Sequence, residues 1–270
     1  MCDTDAMTIV LIVVVLYLIA AALLARASLQ QPHGGGRGWM WAAVPALLLH
    51  AGYHLLVAWR SAGAADLHFF AALSLVGLGM GTLTTCVAAR RRMAALGVVV
   101  FPLAAVLLGS YALYGHSPSP GLDWRLLLHA WIALLAYATL GTAALLALML
   151  AVQERALRRR EFRPWLRALP PLADLETLLF RTIAVGFVLL TITLLTGVMF
   201  VQDLLSQHLV HKTVLSVLSW LTFGGLLIGR RRYGWRGVKV VHWTLVAMAL
   251  LVLAFFGSKF VLELVLRRGG

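Results

Sequence analysis

Nine histidines occur in this chain, and several lie inside long apolar segments, where an ionisable side chain is unusual. His50 and His54 are four residues apart, so a helix places both imidazoles on one face. His129 begins an apolar run that also holds Trp131 and Tyr137. An imidazole buried in lipid needs a partner, which haem iron or a hydrogen bond to a neighbouring helix would provide. The histidines therefore indicate a haem site or interhelical hydrogen bonds, and their spacing leaves both open.

Ligation of one iron by two histidines requires both imidazoles at a similar membrane depth. We take His129 and His50 as the candidate haem-iron ligands, with His54 as the alternative to His50. By the rise of about 1.5 Å per helical residue, His54 matches the depth of His129 better than His50 does. The predicted outer loops add four histidines, of which we interpret the first two as solvated and the last two as further candidate ligands: His68, His116, His208 and His211.

The sequence lacks the residue patterns that common classes of enzyme need for catalysis. The chain has only ten acidic residues, and it contains no nucleophile elbow, phosphate loop, zinc motif or carboxylate pair. Cys2 and Cys86 are predicted on opposite sides of the membrane, and no Cys-x-x-Cys occurs, which argues against disulfide exchange and covalent haem attachment. Lys259 and Glu263 are spaced for an interfacial ion pair, which we favour over a proton relay. We therefore expect no enzymatic activity.

Eight apolar segments must position these histidines. Each has about 18 residues or more, enough for a helix to cross a hydrocarbon core of roughly 30 Å. The spans are predicted near Met7–Leu24, Trp39–Trp59, Leu67–Ala89, Met93–Tyr114, Leu126–Val152, Ile183–Val201, Lys212–Gly229 and Val240–Leu264. The composition, 61% hydrophobic and 12% charged, agrees. The fold class is therefore an all-α polytopic membrane protein, with residues 1-270 expected to form a single transmembrane domain.

Most of the positive charge falls after every second span, from Arg26 to the segment Arg230–Lys239. Because loops rich in Lys and Arg remain in the cytoplasm, both termini are predicted on the outer, periplasmic side of a bacterial inner membrane. This topology accounts for the formal net charge of +13. We therefore expect the basic loops to face anionic lipids of the bilayer, and we expect no nucleic-acid partner.

The longest inner segment, at about residues 153-181, contains a second feature. A basic extension of span five is followed by Pro170-Pro171 and by the amphipathic stretch Leu172–Phe180. Asp174 and Glu176 would lie in the first turn of that stretch, where the helix dipole favours anions. The pattern predicts an interfacial helix lying on the inner leaflet.

Several segments, taken in order, resemble the cytochrome c assembly family, a membrane haem-handling group that includes CcsA-, HemX- and YpjD-like proteins. The segment His129–Leu140 is similar to the histidine-led helix of this family. Further similar segments follow in the family's order: Pro170–Glu176, Leu194–Gly197, His211–Ser216 leading to Trp220, Gly229–Gly237 and Phe256–Phe260. The resemblance covers nearly the whole chain and fits the YpjD-like inner-membrane branch best.

The resemblance implies that the protein binds or passes haem b near the outer face, in support of cytochrome c assembly. Its partners would be haem and, by the same resemblance, other cytochrome c maturation proteins or apocytochrome. His129 occupies the family's periplasmic haem-ligand position, and His50 occupies its histidine in an early span. His211, Trp131 and Tyr137 are candidates to complete the haem pocket.

The chain departs from the family in the Trp-rich segment that presents haem to apocytochrome. Ser206–Lys212 stands in its place, and only Lys212 and the downstream Trp220 are similar to it. A haem lyase activity is therefore not expected. The alternative is a non-catalytic, HemX-like scaffold or regulator, which would act on the tetrapyrrole pathway or on a membrane complex through the basic cytoplasmic segments Arg155–Arg181 and Arg230–Lys239. A transporter would show internal repeats and broken helices, which the sequence lacks.

Overall fold

The computed structural model of the protein describes residues 2–30, 37–60, 66–90, 94–114, 123–160, 170–200 and 207–257. These ranges contain eight helices: α1 (Cys2–Gln30), α2 (Met40–Arg60), α3 (Phe69–Arg90), α4 (Ala94–Tyr114), α5 (Trp124–Arg158), α6 (Leu172–Phe200), α7 (Gln207–Tyr233) and α8 (Val238–Val252). All eight are long and apolar enough to cross a membrane. The predicted all-α fold with eight spans is confirmed, whereas the orientation of the termini stays a prediction.

The helices group into two compact units, unit 1 formed by α1–α4 and unit 2 formed by α5–α8. In unit 1, α1 packs against α2 and α4, and α3 packs against α4. The buried rings of Tyr17 and Phe101 stack at its centre, with ring centroids 5.8 Å apart. The edge of the Tyr17 ring meets the buried imidazole of His50, with ring centroids 5.9 Å apart.

In unit 2, α5 packs along α6 and α8, while α7 contacts α6 and α8. The residues of α5 from Ala136 to Ala144 are all buried, and most are small. Gly186 of α6 faces this stretch so closely that a Cβ atom there would overlap the side chain of Leu140. This tight contact aligns the two helices and brings the first turns of α5 beside the last turns of α6.

The expected interfacial helix at residues 172–180 is wrong. Those residues form the first turns of α6, which continues without a break to Phe200. Leu175, Leu178 and Leu179 are buried inside unit 2 rather than facing lipid headgroups. Their apolar pattern therefore reflects packing against other helices. A helix on the membrane surface and a helix in the protein core have the same one-sided pattern. Asp174 does lie in the first turn, whereas Glu176 is buried further along the helix.

Candidate functional site

His129 lies in the second turn of α5 and contacts the last turns of α6. Its Nδ1 is 3.0 Å from Oγ1 of Thr196. Gly197 leaves room for the ring, because a Cβ atom at Gly197 would lie 3.2 Å from His129 Cε1. The close packing of α5 on α6 and the small residue after Thr196 together hold the imidazole in one position.

The partners of Thr196 favour one tautomer of His129. The Thr196 hydroxyl is also 2.9 Å from the Ile192 carbonyl and 3.0 Å from the Thr193 carbonyl. A hydroxyl has one hydrogen, and carbonyl oxygens only accept. When Thr196 donates to either carbonyl, Oγ1 accepts from Nδ1–H of His129, and Nε2 carries a free lone pair.

A cavity of about 230 Å³ opens beside His129 and is lined by all four helices of unit 2. Its walls are mostly apolar, and its polar groups include Lys212 and Ser216 of α7. A metal-binding nitrogen, a cation and apolar walls suit an amphipathic ligand that carries a metal and an anionic group. The volume is below the roughly 300–1,000 Å³ of pockets that enclose a whole ligand, so a haem would enter this cavity only in part.

Tyr137 lines the same cavity two turns deeper than His129. Its hydroxyl donates to the Leu251 carbonyl over 2.6 Å, just before the π-helical turn Leu253–Gly257 that follows α8. Ala254 and Phe255 of this turn also line the cavity. This hydrogen bond therefore links α5 to the end of α8 beside the turn.

The other residues that the sequence indicated for the haem site are not found among the described residues that line the cavity. Trp131 is 47% exposed and is not among the residues that line the cavity. Trp220 donates to Thr191 Oγ1 over 2.8 Å and stacks on Phe187, so it is engaged with α6. His211 lies in α7 immediately before Lys212, but its side chain is outside the described residues, as are those of His208 and His116.

In unit 1, His50 and His54 lie on one face of α2, as predicted. His50 is fully buried, and both of its ring nitrogens have partners: Nδ1 is 3.0 Å from Tyr17 Oη, and Nε2 is 2.9 Å from Ser74 Oγ. His54 Nε2 is 3.0 Å from the same Ser74 Oγ. Either histidine could bind iron through Nε2 only if Ser74 released it. The interhelical hydrogen bond, which the sequence left open as an alternative, is therefore what the structure has at His50, His54 and His129.

A second polar group adjoins this one at the end of unit 1 that joins α2 to α3. Asp66 is nearly buried; its Oδ2 accepts from the Tyr111 hydroxyl over 3.0 Å, and its Oδ1 is paired with His68. Burial acts to raise the pKa of Asp66, but the hydrogen bonds and the charge of these neighbours outweigh it and hold the pKa below its ordinary value. The Tyr111 ring stacks on His54 with centroids 4.8 Å apart. His68, interpreted from the sequence as a solvated loop residue, is instead mostly buried against Asp66.

His129 belongs to unit 2, and His50 and His54 belong to unit 1. Their joint ligation of one iron stays a prediction. Sequence reasoning missed the hydroxyl partners Thr196, Ser74 and Tyr17. Thr196 could have been found, because it follows an apolar run and lies in one of the segments similar to the family, whereas a single serine in α3 gives no such signal.

Two segments that the sequence analysis found similar to the family, without giving them a role, meet in unit 2: Pro170–Glu176 and Gly229–Gly237. Glu176 Oε1 accepts from the Gly237 backbone N–H over 3.1 Å. Its Oε2 is 3.5 Å from Arg236 Nε and 3.8 Å from Arg230 Nη1. Gly237 has φ 62°, a conformation that suits glycine. The buried carboxylate therefore anchors the basic turn between α7 and α8.

Comparisons with known proteins show which family the chain resembles. A family model described as "Cytochrome C assembly protein" matches residues 39–266. The chain is 33% identical over 258 residues to "Inner membrane protein YpjD" of Escherichia coli (strain K12), covering 94% of this chain and 98% of that protein. It is 27% identical over 134 residues to "Protein HemX" of Brevibacillus brevis, which is 49% of each chain. No solved structure matches the chain at a significant level.

The relative in Escherichia coli and the eight spans place the protein in the bacterial inner membrane as a multi-pass protein. The family match extends from the end of the turn before α2 to beyond α8, so it includes the residues around His50 and the cavity at His129. The chain belongs to the cytochrome c assembly protein family.

Proposed function

We propose that the protein binds haem b at the His129 end of unit 2 and handles it in support of cytochrome c assembly, without bond chemistry of its own. One observation carries this proposal: Thr196 holds His129 Nδ1, and the same imidazole lines a mostly apolar cavity. A histidine whose other nitrogen is hydrogen-bonded is the usual form of a metal ligand.

Different residues of unit 2 would contact different parts of the haem. His129 would bind the iron, and Lys212 would attract a propionate, since an ammonium group pairs with a carboxylate at low dielectric. Leu190, Val217 and Phe255 would contact the macrocycle. The bound haem would supply an iron centre able to change oxidation state. As the second iron ligand we keep His50 or His54.

The basic ends of the helices support an orientation for this site. Arg155, Arg158 and the arginines of the α7–α8 turn lie at the end of unit 2 opposite to His129, and Lys and Arg mark the cytoplasmic side. The His129 cavity would then face the periplasm, with both termini on that side. Because the chain lacks the Trp-rich segment, we propose that other maturation proteins deliver the haem to apocytochrome.

A second candidate, a scaffold or regulator, is favoured by the basic turn that Glu176 anchors. Arg231, Arg232 and Lys239 are exposed there, and a fixed cationic surface suits an acidic partner protein. This candidate predicts that the arginines are needed and that His129 is dispensable.

One complementation experiment separates the two candidates. In a strain that lacks the protein, the amount of haem-stained cytochrome c would be compared after expression of the wild type, His129→Ala or the double variant Arg231→Gln/Arg232→Gln. His242→Ala is the matched control, because His242 is exposed and, within the described part of the chain, its ring is hydrogen-bonded to the Val238 carbonyl of its own helix alone. Haem handling predicts loss with His129→Ala alone. Full activity of His129→Ala, together with loss in the arginine variant, would refute it in favour of the scaffold.

A further inference from the structure

The basic turn between α7 and α8 carries a stack of aromatic rings with a cation on it. The Trp235 ring stacks on those of Tyr233 and Trp243, with centroids 6.3 and 6.4 Å apart. Lys239 Nζ lies 3.7 Å from the centroid of the Trp235 ring. A ring face attracts an ammonium group and leaves its charge in place. The turn therefore presents a positive charge at a defined point on an aromatic surface.

Trp235 is held in position from several sides. A Cβ atom at Gly229 of α7 would lie 2.4 Å from this ring, so the ring rests directly on the helix backbone. Arg230 Nη1 donates to the Trp235 carbonyl over 3.2 Å. Glu176 fixes the next part of the turn by accepting from the Gly237 N–H. A surface that is already ordered binds a ligand without the cost of ordering it first.

The charges around the turn do not balance. Residues 229–239 contain five cations and no acidic residue. Two carboxylates approach the turn from other helices, and both are paired with arginines: Glu176 with Arg230 and Arg236, and Glu154 with Arg158. Arg231, Arg232 and Lys239 are exposed. The turn therefore has an excess of positive charge at its surface, which an anionic ligand would offset.

The exposed face of α8 continues from this cation into the apolar part of the helix. Trp243 and Val246 follow Lys239 by four and seven residues, so all three lie on one face. Trp243 is 44% exposed and Val246 is 51% exposed. At about 1.5 Å per residue, Val246 lies some 10 Å along the helix from Lys239. The order of cation, tryptophan and aliphatic side chain matches that of the phosphate, the interfacial region and the acyl chain of a phospholipid.

We propose that this turn is a binding site for one anionic phospholipid, with the phosphate at Lys239 and an acyl chain along Trp243 and Val246. A general attraction to anionic lipids acts on every basic loop of a membrane protein. Here the fixed cation and the exposed aromatic stack add a defined position. The apolar face next to them selects a lipid over a soluble phosphate or the acidic segment of a partner protein. The inference goes beyond the proposed haem site and does not rest on it.

The test counts the lipid molecules that the full-length protein keeps. The protein, purified in mild detergent, would be offered equal amounts of phosphatidylglycerol and phosphatidylcholine and studied by native mass spectrometry. The wild type is expected to bind one phosphatidylglycerol in preference to phosphatidylcholine. Lys239→Gln should weaken this binding about fivefold, the usual contribution of one basic residue near an anionic lipid. Trp243→Ala should weaken it as well, although it changes no charge.

Arg125→Gln is the matched control. The Arg125 guanidinium lies over the ring of Trp124, 5.6 Å from its centroid, in the first turn of α5. This variant removes the same unit of charge and the same kind of cation–ring contact elsewhere in unit 2, so lipid binding should not change. Equal effects of Lys239→Gln and Arg125→Gln would overturn the proposal, because lipid binding would then follow the total charge of the protein alone. Wild-type binding by Trp243→Ala would overturn it too.

Two soluble competitors separate the lipid from other anions. Glycerol phosphate has the phosphate of the headgroup without the acyl chains, and oligo-glutamate represents the acidic segment of a partner protein. Neither should displace phosphatidylglycerol at millimolar concentration. Displacement by either one would overturn the proposal in favour of a soluble anion or a protein partner at this turn.

Discussion

The hydroxyl of Thr196 offers the sharpest perturbation of the His129 site. Thr196→Val keeps the branched shape of the side chain and removes only the oxygen that accepts from His129 Nδ1 at 3.0 Å. His129 would lose the bond that fixes both its tautomer and its ring orientation. Loss of such a partner typically weakens metal binding by about 10- to 100-fold, which corresponds to about 1.4–2.8 kcal/mol at 25 °C.

The assay is a titration of the purified protein with haemin, followed by the Soret absorption. Thr182→Val is the matched control, because the Thr182 hydroxyl bonds to the Leu178 carbonyl of its own helix and to no other described residue. At about 1.5 Å per residue, it lies some 21 Å along α6 from Thr196. Thr196→Ser should restore most of the affinity, since it restores the hydroxyl. Equal haemin affinity for Thr196→Val and the wild type would refute the argument that Thr196 prepares His129 for iron.

Three further predictions concern stability. Glu176→Gln removes the charge that faces two arginines and should cost about 1–3 kcal/mol in thermal unfolding, against little change for the exposed Asp174→Asn; equal melting temperatures for the two variants would contradict this. Because the folded pKa of Asp66 is lowered, its stabilising effect is present above the unfolded pKa of about 4 and is lost as the pH falls through the folded value. Acid unfolding of the wild type should therefore be steeper than that of Asp66→Asn, and identical pH profiles would argue against it. Gly186→Ala should destabilise the protein by about 1–3 kcal/mol through overlap with a buried leucine, whereas Gly225→Ala, which meets nothing within 4 Å, should be neutral or stabilising by up to about 1 kcal/mol; the reverse order would disprove the α5–α6 contact.

Much of the fold could be predicted, because lipid imposes a strict rule on the backbone. A segment that crosses the bilayer must be helical and apolar, so the length of each apolar run was enough to find the eight spans. The prediction of an interfacial helix at Leu172–Phe180 was wrong for a related reason. Its one-sided apolar pattern is the same whether the other face meets headgroups or charged groups of the protein, and only tertiary packing distinguishes them.

The site was predicted less completely. A histidine within an apolar run is visible in the sequence because its burial is costly, and so His50, His54 and His129 could be identified. Their partners Tyr17, Ser74 and Thr196 are residues that occur in many membrane helices without such a role. They lie 20 to 67 positions from the histidines they bond, and only the packing of the helices shows which hydroxyl meets which nitrogen.

The central claim is that His129 binds haem iron, and an absorption spectrum tests it most directly. The protein would be purified in mild detergent, and spectra would be recorded oxidised and after reduction with dithionite, for the wild type, His129→Ala and the control His242→Ala. The account predicts a Soret band with α and β bands on reduction in the wild type and in His242→Ala, and their loss or displacement in His129→Ala. A wild type that remains without these bands after addition of haemin, or a His129→Ala spectrum identical to that of a haem-loaded wild type, would contradict it.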